Sequence, residues 1–341
     1  MLLLTLFLFV LSACAPSGPR TLTVMTHDSF AVSEDLVRQF EAHNNVSVVF
    51  LKSGDAGTAL NKAILSKDAP LADVLYGVDN TFLSRALEAD LFEPYNAPAQ
   101  ASIPAEFKLD AQNRALPVDF GDVCINYDVR WFEQNGLPLP QSLQDLTLPQ
   151  YRGLLVVENP ATSSPGLAFL LATVAAFGED GFTEYWAALR ANDVKVVDGW
   201  ETAYYTEFSG SSGAGPRPLV VSYASSPAAE MIFADPRPAT PPTASLTAPG
   251  MCFRQIEFVG ILRGTPNRDL AQKWVDFMLS TSFQQDVPLQ MFVYPVNPAA
   301  SLPQDFVDYA PIVAEPATLD PALIAANRDA WIAAWTETVL R

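Results

Sequence analysis

Charged side chains are scarce in this 341-residue chain, at 17% against the roughly 25% usual in globular proteins, and the deficit falls on one sign. Lys and Arg total 20 against 38 Asp and Glu, a formal charge of −18, so the surface repels phosphate backbones and anionic headgroups. Nucleic-acid binding is excluded as a first reading. Histidine occurs twice and cysteine three times, too few to show a ligand cluster of the zinc type. No G-x-S-x-G elbow, HExxH or phosphate-cradling glycine loop is present, and no repeat of fixed period. What the chain does have is apolar: 49% hydrophobic and 11% aromatic residues bury enough area to offset chain entropy, and the length suggests two lobes.

The longest apolar run opens the chain. Leu2 to Ala13 reads LLLTLFLFVLSA, of signal-peptide length and too short to span a bilayer as a helix, although no Lys or Arg precedes it. Residues 1–13 are read as a leader, and 14–20 (CAPSGPR) as a tether. Beyond Cys14 only Cys124 and Cys252 remain; in an oxidising compartment they either close a disulfide or stay as two buried thiols.

From Thr21 the pattern alternates short β-branched runs with amphipathic stretches: TLTVM, a helix opened by Ser33, VSVVF, a helix through Leu60 and Ile64, and DVLYG. Such alternation predicts an α/β sheet whose ligands sit beyond the carboxyl ends of strands, near 27–30 and 77–80. A second α/β block has strands at 123–127, 154–159, 194–198 and 219–223, a core helix from Pro165, another around 182–189, and surface loops at 209–218 and 234–249. The strand QIEFVGIL and two further helices, Asn267 to Met278 and Asp320 to Val339, complete the chain and are expected to return to the first lobe. Crossings near 118–121 and 258–260 divide it into lobe 1, residues 21–118 plus 261–341, and lobe 2, residues 119–260, hinged about a cleft.

Several strings in order, LTVMTHDSF, DVLYGVDNTFLSRA, NPATSSPGLAFLL, VVDGWETAY, LVVSYASSPA and MFVYPVNP, resemble the thiamine-binding substrate-binding proteins of ABC importers. That family is related to ferric-ion and putrescine binders. Leu11-Ser12-Ala13-Cys14 resembles a bacterial lipobox, which implies lipidation of Cys14 and an extracytoplasmic, lipid-anchored protein on the periplasmic or outer face of the cytoplasmic membrane. The resemblance implies a type II periplasmic-binding fold with two hinge crossings. It also implies capture of thiamine, or its phosphate esters, for delivery to an ABC permease, with no cofactor, metal or catalytic residue.

Thiamine joins a flat aminopyrimidine to a permanently cationic thiazolium and a hydroxyethyl tail, so its receptor needs aromatic faces, a carboxylate and small hydrogen-bonding groups. By resemblance these fall to Trp200, Tyr223 and Ser226, to Ser163 and Ser164 at a helix start, to Asp55, and to His27, Asp28 and Phe292. His27 stands where relatives carry Tyr, Phe292 where they carry Trp, and Ala229 where they carry a second ring. Protonation of His27 is expected to weaken cation binding in acid. Two alternatives are kept. The adjacent Tyr204-Tyr205 suits ferric iron, although in an extended segment one ring would face the core and the other solvent. A thiamine-degrading enzyme would need Cys124 or Cys252 as nucleophile, and neither has a nearby His.

Overall fold

A computed structural model describes residues 18–211 and 215–341; the leader, Cys14 and the start of the tether lie outside the described residues. The first stretch contains β1 (Arg20–Thr26), α1 (Glu34–Asn44), β2 (Val46–Lys52), α2 (Ala56–Leu65), β3 (Val74–Asp79), α3 (Leu83–Glu88), β4 (Phe92–Glu93), β5 (Leu116–Asp128) and α4 (Val129–Asn135). After these come β6 (Leu155–Glu158), α5 (Ser164–Ala191), β7 (Lys195–Val197), β8 (Leu219–Tyr223), α6 (Ser226–Phe233), β9 (Thr243–Leu246) and β10 (Phe253–Leu262). The chain closes with α7 (Arg268–Met278), α8 (Thr281–Gln290), β11 (Tyr294–Pro295), α9 (Gln304–Tyr309) and α10 (Pro321–Leu340).

The strands form one mixed sheet of order β2-β1-β3-β10-β5-β8-β6-β7, with β4 on β10 and with β9 and β11 on β5. Two wings are parallel, β2-β1-β3 and β8-β6-β7, and each reads as β-branched runs covered by helices. Between them lie the long antiparallel β5 and β10, paired from Phe253↔Val123 to Val259↔Leu116. The sequence crossings at 118–121 and 258–260 are therefore the middles of these two neighbouring strands.

Cys124 and Cys252 are disulfide-bonded where β5 and β10 lie side by side, closing a sequence separation of 128. The core helix of the second wing is buried from Ser163 through Val174 and continues past Gly178, whose φ of 75° breaks it, into the stretch read as a separate helix. Gly178 is tolerated there because only glycine reaches that φ without a Cβ clash.

Four readings change. Residues 77–79 are not a loop but the end of β3, because Glu257↔Asp79 and Phe258↔Val78 pairing extends the strand. Within 234–249, β9 pairs with Asp128 through Ile125 instead of remaining loop. Arg20, placed in the tether, starts β1 and is paired with Asp269. The segment after β10 does not keep to the first wing. Tyr294, Phe306 and Ala310 pack on Ala228 of α6, and α10 runs on to α5, with Trp335 edge-to-face on Trp186 at 5.5 Å and 84°. A stripe at 324, 328, 331, 335 and 339 is the face that α10 buries, which is helical spacing.

Candidate functional site

A cleft of ≈780 Å³ opens between the two wings, within the range of small-molecule sites. The ends of β1 and β8, the starts of α2, α5 and α6, β10 and the loop at 291–293 all contribute to it. Asp55, Glu201, Glu230, Asp235 and Glu257 line it, whereas among the described lining residues there is no Lys or Arg, and His27 is the one titratable base. A cleft so lined attracts cations and repels anions.

Trp200 is set by three contacts. Its ring stacks on Tyr204 with centroids 5.1 Å apart and planes at 17°, its Nε1–H donates to Ser222 Oγ at 2.8 Å, and its backbone N–H donates to Asp55 Oδ2 at 3.0 Å. Ser222 Oγ in turn lies 2.9 Å from Ser226 Oγ. Asp55 caps α2, accepting from Ala56 N–H at 2.7 Å, and so one carboxylate ties the start of α2 in the first wing to the Trp200 turn in the second. Burial raises its pKa, with the Trp200 and Ala56 N–H groups and His27 pulling the other way.

Tyr223 lines the cleft beside Trp200, the two rings edge-to-face with centroids 6.4 Å apart, and its hydroxyl donates to Gln255 Oε1 at 3.1 Å. It fits there because residue 121 is glycine: a Cβ would lie 2.9 Å from Tyr223 Cδ1. His27 depends on Gly77 in the same way, since a Cβ at Gly77 would lie 2.3 Å from the imidazole Cδ2, and Gly77 also has φ +96°. His27 Nε2 is 3.4 Å from Glu257 Oε1. Burial disfavours the imidazolium, but the Glu257 carboxylate, aided by Asp55 and Asp28, outweighs it and raises the His27 pKa. Burial likewise opposes ionisation of Glu257, yet His27 holds its pKa below the usual range.

Beneath this wall lies a buried acid layer. Tyr76 Oη donates to Asp119 at 2.5 Å and is 3.1 Å from Glu257. Asp79 accepts from Thr81 N–H and Oγ1–H and from Phe82 N–H, and its other oxygen takes the hydroxyl of Ser164. Burial raises the pKa of Asp79 to about 6 and pushes Asp119 and Glu158 well above the carboxylate range, Glu257 adding to Asp119 and Asp55 to Glu158.

The structure gathers His27, Asp55, Ser164, Trp200, Tyr223, Ser226 and Phe292 around the cleft. Asp28 and Ser163 are not on its wall. Asp28 Oδ1 accepts from Gly54 N–H at 2.8 Å and its carbonyl from Lys52 Nζ at 2.7 Å, which shapes the turn carrying Asp55. Ser163 is fully buried at the N-cap of α5 without a side-chain cap bond, its hydroxyl facing the Asp55 carboxylate. Tyr204 and Tyr205 do not alternate along a strand. They lie in a single π-helical turn, Thr202–Glu207, yet Tyr204 is buried in a core cluster and Tyr205 exposed, as expected; both also touch the cleft, and Tyr204 Oη donates to Glu230 Oε1 at 2.9 Å. The sequence reading passed over Glu257, Glu230 and Phe233. Glu257 carried a signal, a lone acid inside the apolar run QIEFVGIL at a crossing.

Residues 69–314 match the family of bacterial extracellular solute-binding proteins. The chain is 30% identical to the thiamine-binding periplasmic protein of Salmonella typhimurium, covering 98% of both chains, and 30% identical to that of Escherichia coli K12, covering 94% of both. Among solved structures it is similar to a periplasmic thiamin binding protein, with a TM-score of 0.80 and 30% identity over 95% of this chain and 97% of the other. It shares its fold with iron-bound HitA from Pseudomonas aeruginosa at a TM-score of 0.76 and 17% identity, over 94% and 99% of the two chains. An acid-lined, aromatic cleft between two sheet wings and a match over most of the chain lead to one assignment: the chain is a member of the bacterial extracellular solute-binding protein family.

Proposed function

We propose that the protein captures thiamine outside the cytoplasmic membrane and delivers it to an ABC importer permease. The observation that carries this reading is the Asp55–Trp200 contact: a carboxylate from one wing held against the backbone of an indole from the other, in a cleft whose described lining residues include five acids and no Lys or Arg. A flat organic cation there meets an aromatic face and a negative field from both sides, and a ligand that touches both wings favours the closed arrangement. The names of the full-length relatives support the same ligand. The free vitamin suits the cleft better than its phosphate esters, because the start of α5 is flanked by Asp79 and Asp55 rather than by a base.

In this reading Trp200 and Tyr223 stack, Asp55 and Glu257 supply charge, and Ser164, Ser226 and His27 meet ring edges or the hydroxyethyl tail. Phe292 closes the mouth, and Asp28 and Ser163 act through the position of Asp55. Residues 21–118 plus 261–341 and residues 119–260 move as two lobes about β5 and β10, with 294–310 and the end of α10 riding on the second. Cys14 carries the lipid anchor after removal of 1–13. The activity is binding, with no bond made or broken.

Titration calorimetry with thiamine, repeated with thiamine monophosphate, tests the assignment. One-to-one binding of thiamine tighter than about 10 μM, weakened by the phosphate, is the expected result. Absence of both heat and a change in intrinsic fluorescence with thiamine overturns it, and a colour band on addition of ferric citrate would move the protein to the iron binders.

A further inference from the structure

We propose that Phe233, set edge-to-face against Phe292, forms with it an outer aromatic clamp at the mouth of the cleft, one ring stacking on the flat ring of the bound heteroaromatic cation and the other meeting its edge; this rests on the thiamine reading above. Helix α6 turns one stripe to the cleft, Ser226, Ala229, Glu230 and Phe233, at the i, i+3, i+4 and i+7 spacing of a single helix face. The stripe runs from floor to mouth: Ser226 is 4% exposed and Phe233 63%. Ala229, one turn deeper, brings no ring, so the aromatic surface that α6 offers the cleft lies at its last residue.

Phe233 meets Phe292 edge-to-face, with centroids 5.1 Å apart and planes at 88°. In that arrangement the two ring planes are perpendicular, so a flat ring that stacks on one meets the other edge-on. Phe292 is held for the purpose: its φ is 56°, a conformation costly for a bulky side chain, and its carbonyl accepts from Ser225 Oγ at 2.5 Å. Ser225 is the N-cap residue of α6, so the helix that carries Phe233 also fixes the loop that carries Phe292. On the other side, Met291 Sδ accepts from Ala31 N–H at 3.1 Å, which ties the same loop to the first wing. Glu230, on the stripe, and Asp235, just beyond it, line the same cleft. An aromatic face and an aromatic edge in an acid-lined cleft suit a cationic heteroaromatic ring, whereas a purely apolar ligand would gain nothing from the charge.

The test compares thiamine affinity by calorimetry, and release by stopped-flow tryptophan fluorescence, for the wild type and for Phe233→Ala, Phe233→Leu and Phe233→Tyr. The Ala and Leu variants are expected to bind about 5- to 15-fold more weakly, mostly through faster release, while Tyr stays within about twofold. Because Phe233 is exposed, the unfolding temperature of each is expected within about 1 °C of the wild type. Wild-type affinity in Phe233→Ala or Phe233→Leu overturns the clamp while leaving the thiamine reading intact, as does a loss that Tyr fails to restore. A wild type that does not bind thiamine overturns both.

Discussion

Asp79 gives a prediction whose size follows from the structure. Its carboxyl is fully buried at the end of β3, holding Thr81 and Phe82 on one oxygen and Ser164 on the other, and burial raises its pKa from 3.8 to about 6. A carboxyl raised on folding takes up protons as the chain folds, so it favours the folded state at low pH and disfavours it as pH rises through the folded value. The full difference is about 3 kcal/mol, of which about 1.4 kcal/mol falls between pH 5 and pH 7.5. With roughly 2 cal/mol/K per residue of unfolding entropy, that share lowers the unfolding temperature by about 2 °C. Asp55, Glu158, Asp119 and His27, all raised, act in the same direction; Glu257, lowered, exerts its opposite effect only below the ordinary glutamate range, outside this window.

The unliganded protein should therefore melt at least about 2 °C lower at pH 7.5 than at pH 5, by calorimetry at fixed ionic strength. Asp79→Asn, which keeps an oxygen for Thr81 and Phe82, should reduce that fall by about 2 °C. A wild-type profile that is flat or rises over the window, or an Asp79→Asn profile as steep as the wild type, refutes the reasoning. A cation in the cleft favours the ionised acids, so thiamine affinity should itself climb from pH 5 to pH 7.5.

Trp200→Ala should weaken thiamine binding by about 2–3 kcal/mol, and Trp200→Phe, which keeps a face but not the N–H to Ser222, by about 1 kcal/mol; calorimetry in which Ala matches the wild type would remove Trp200 from the site. Replacing Cys124 and Cys252 by serine frees a loop of 128 residues and should cost up to about 4–5 kcal/mol, read as a lower urea midpoint with binding retained. Gly77→Ala forces a Cβ into the space of the His27 ring and into a left-handed φ; unchanged stability and affinity would show that His27 is free to leave the wall.

Local chemistry made the elements readable. Alternating β-branched runs and amphipathic stretches marked the parallel wings, Asp320-Pro321 marked the start of α10, and the Ser163-Ser164-Pro165 string marked that of α5. Trp200, Tyr223 and Asp55 were singled out by resemblance to the thiamine-binding family, and all three line the cleft because the carboxyl end of a strand delivers its next residues there.

What the chain by itself determined was thus the α/β class, the order of the wings and the chemistry at their edges, all of which depend on neighbours within a few residues. Tertiary structure alone decided which acids are buried together, because Asp79, Asp119, Glu158 and Glu257 come from four strands and their pKa values are moved by lost solvent and by neighbours that only the fold brings near. It alone closed Cys124 on Cys252, since pairing depends on strand register across 128 residues. It alone sent α10 to Trp186 and set Phe233 against Phe292, because packing partners are chosen by shape and burial in space rather than by separation along the chain.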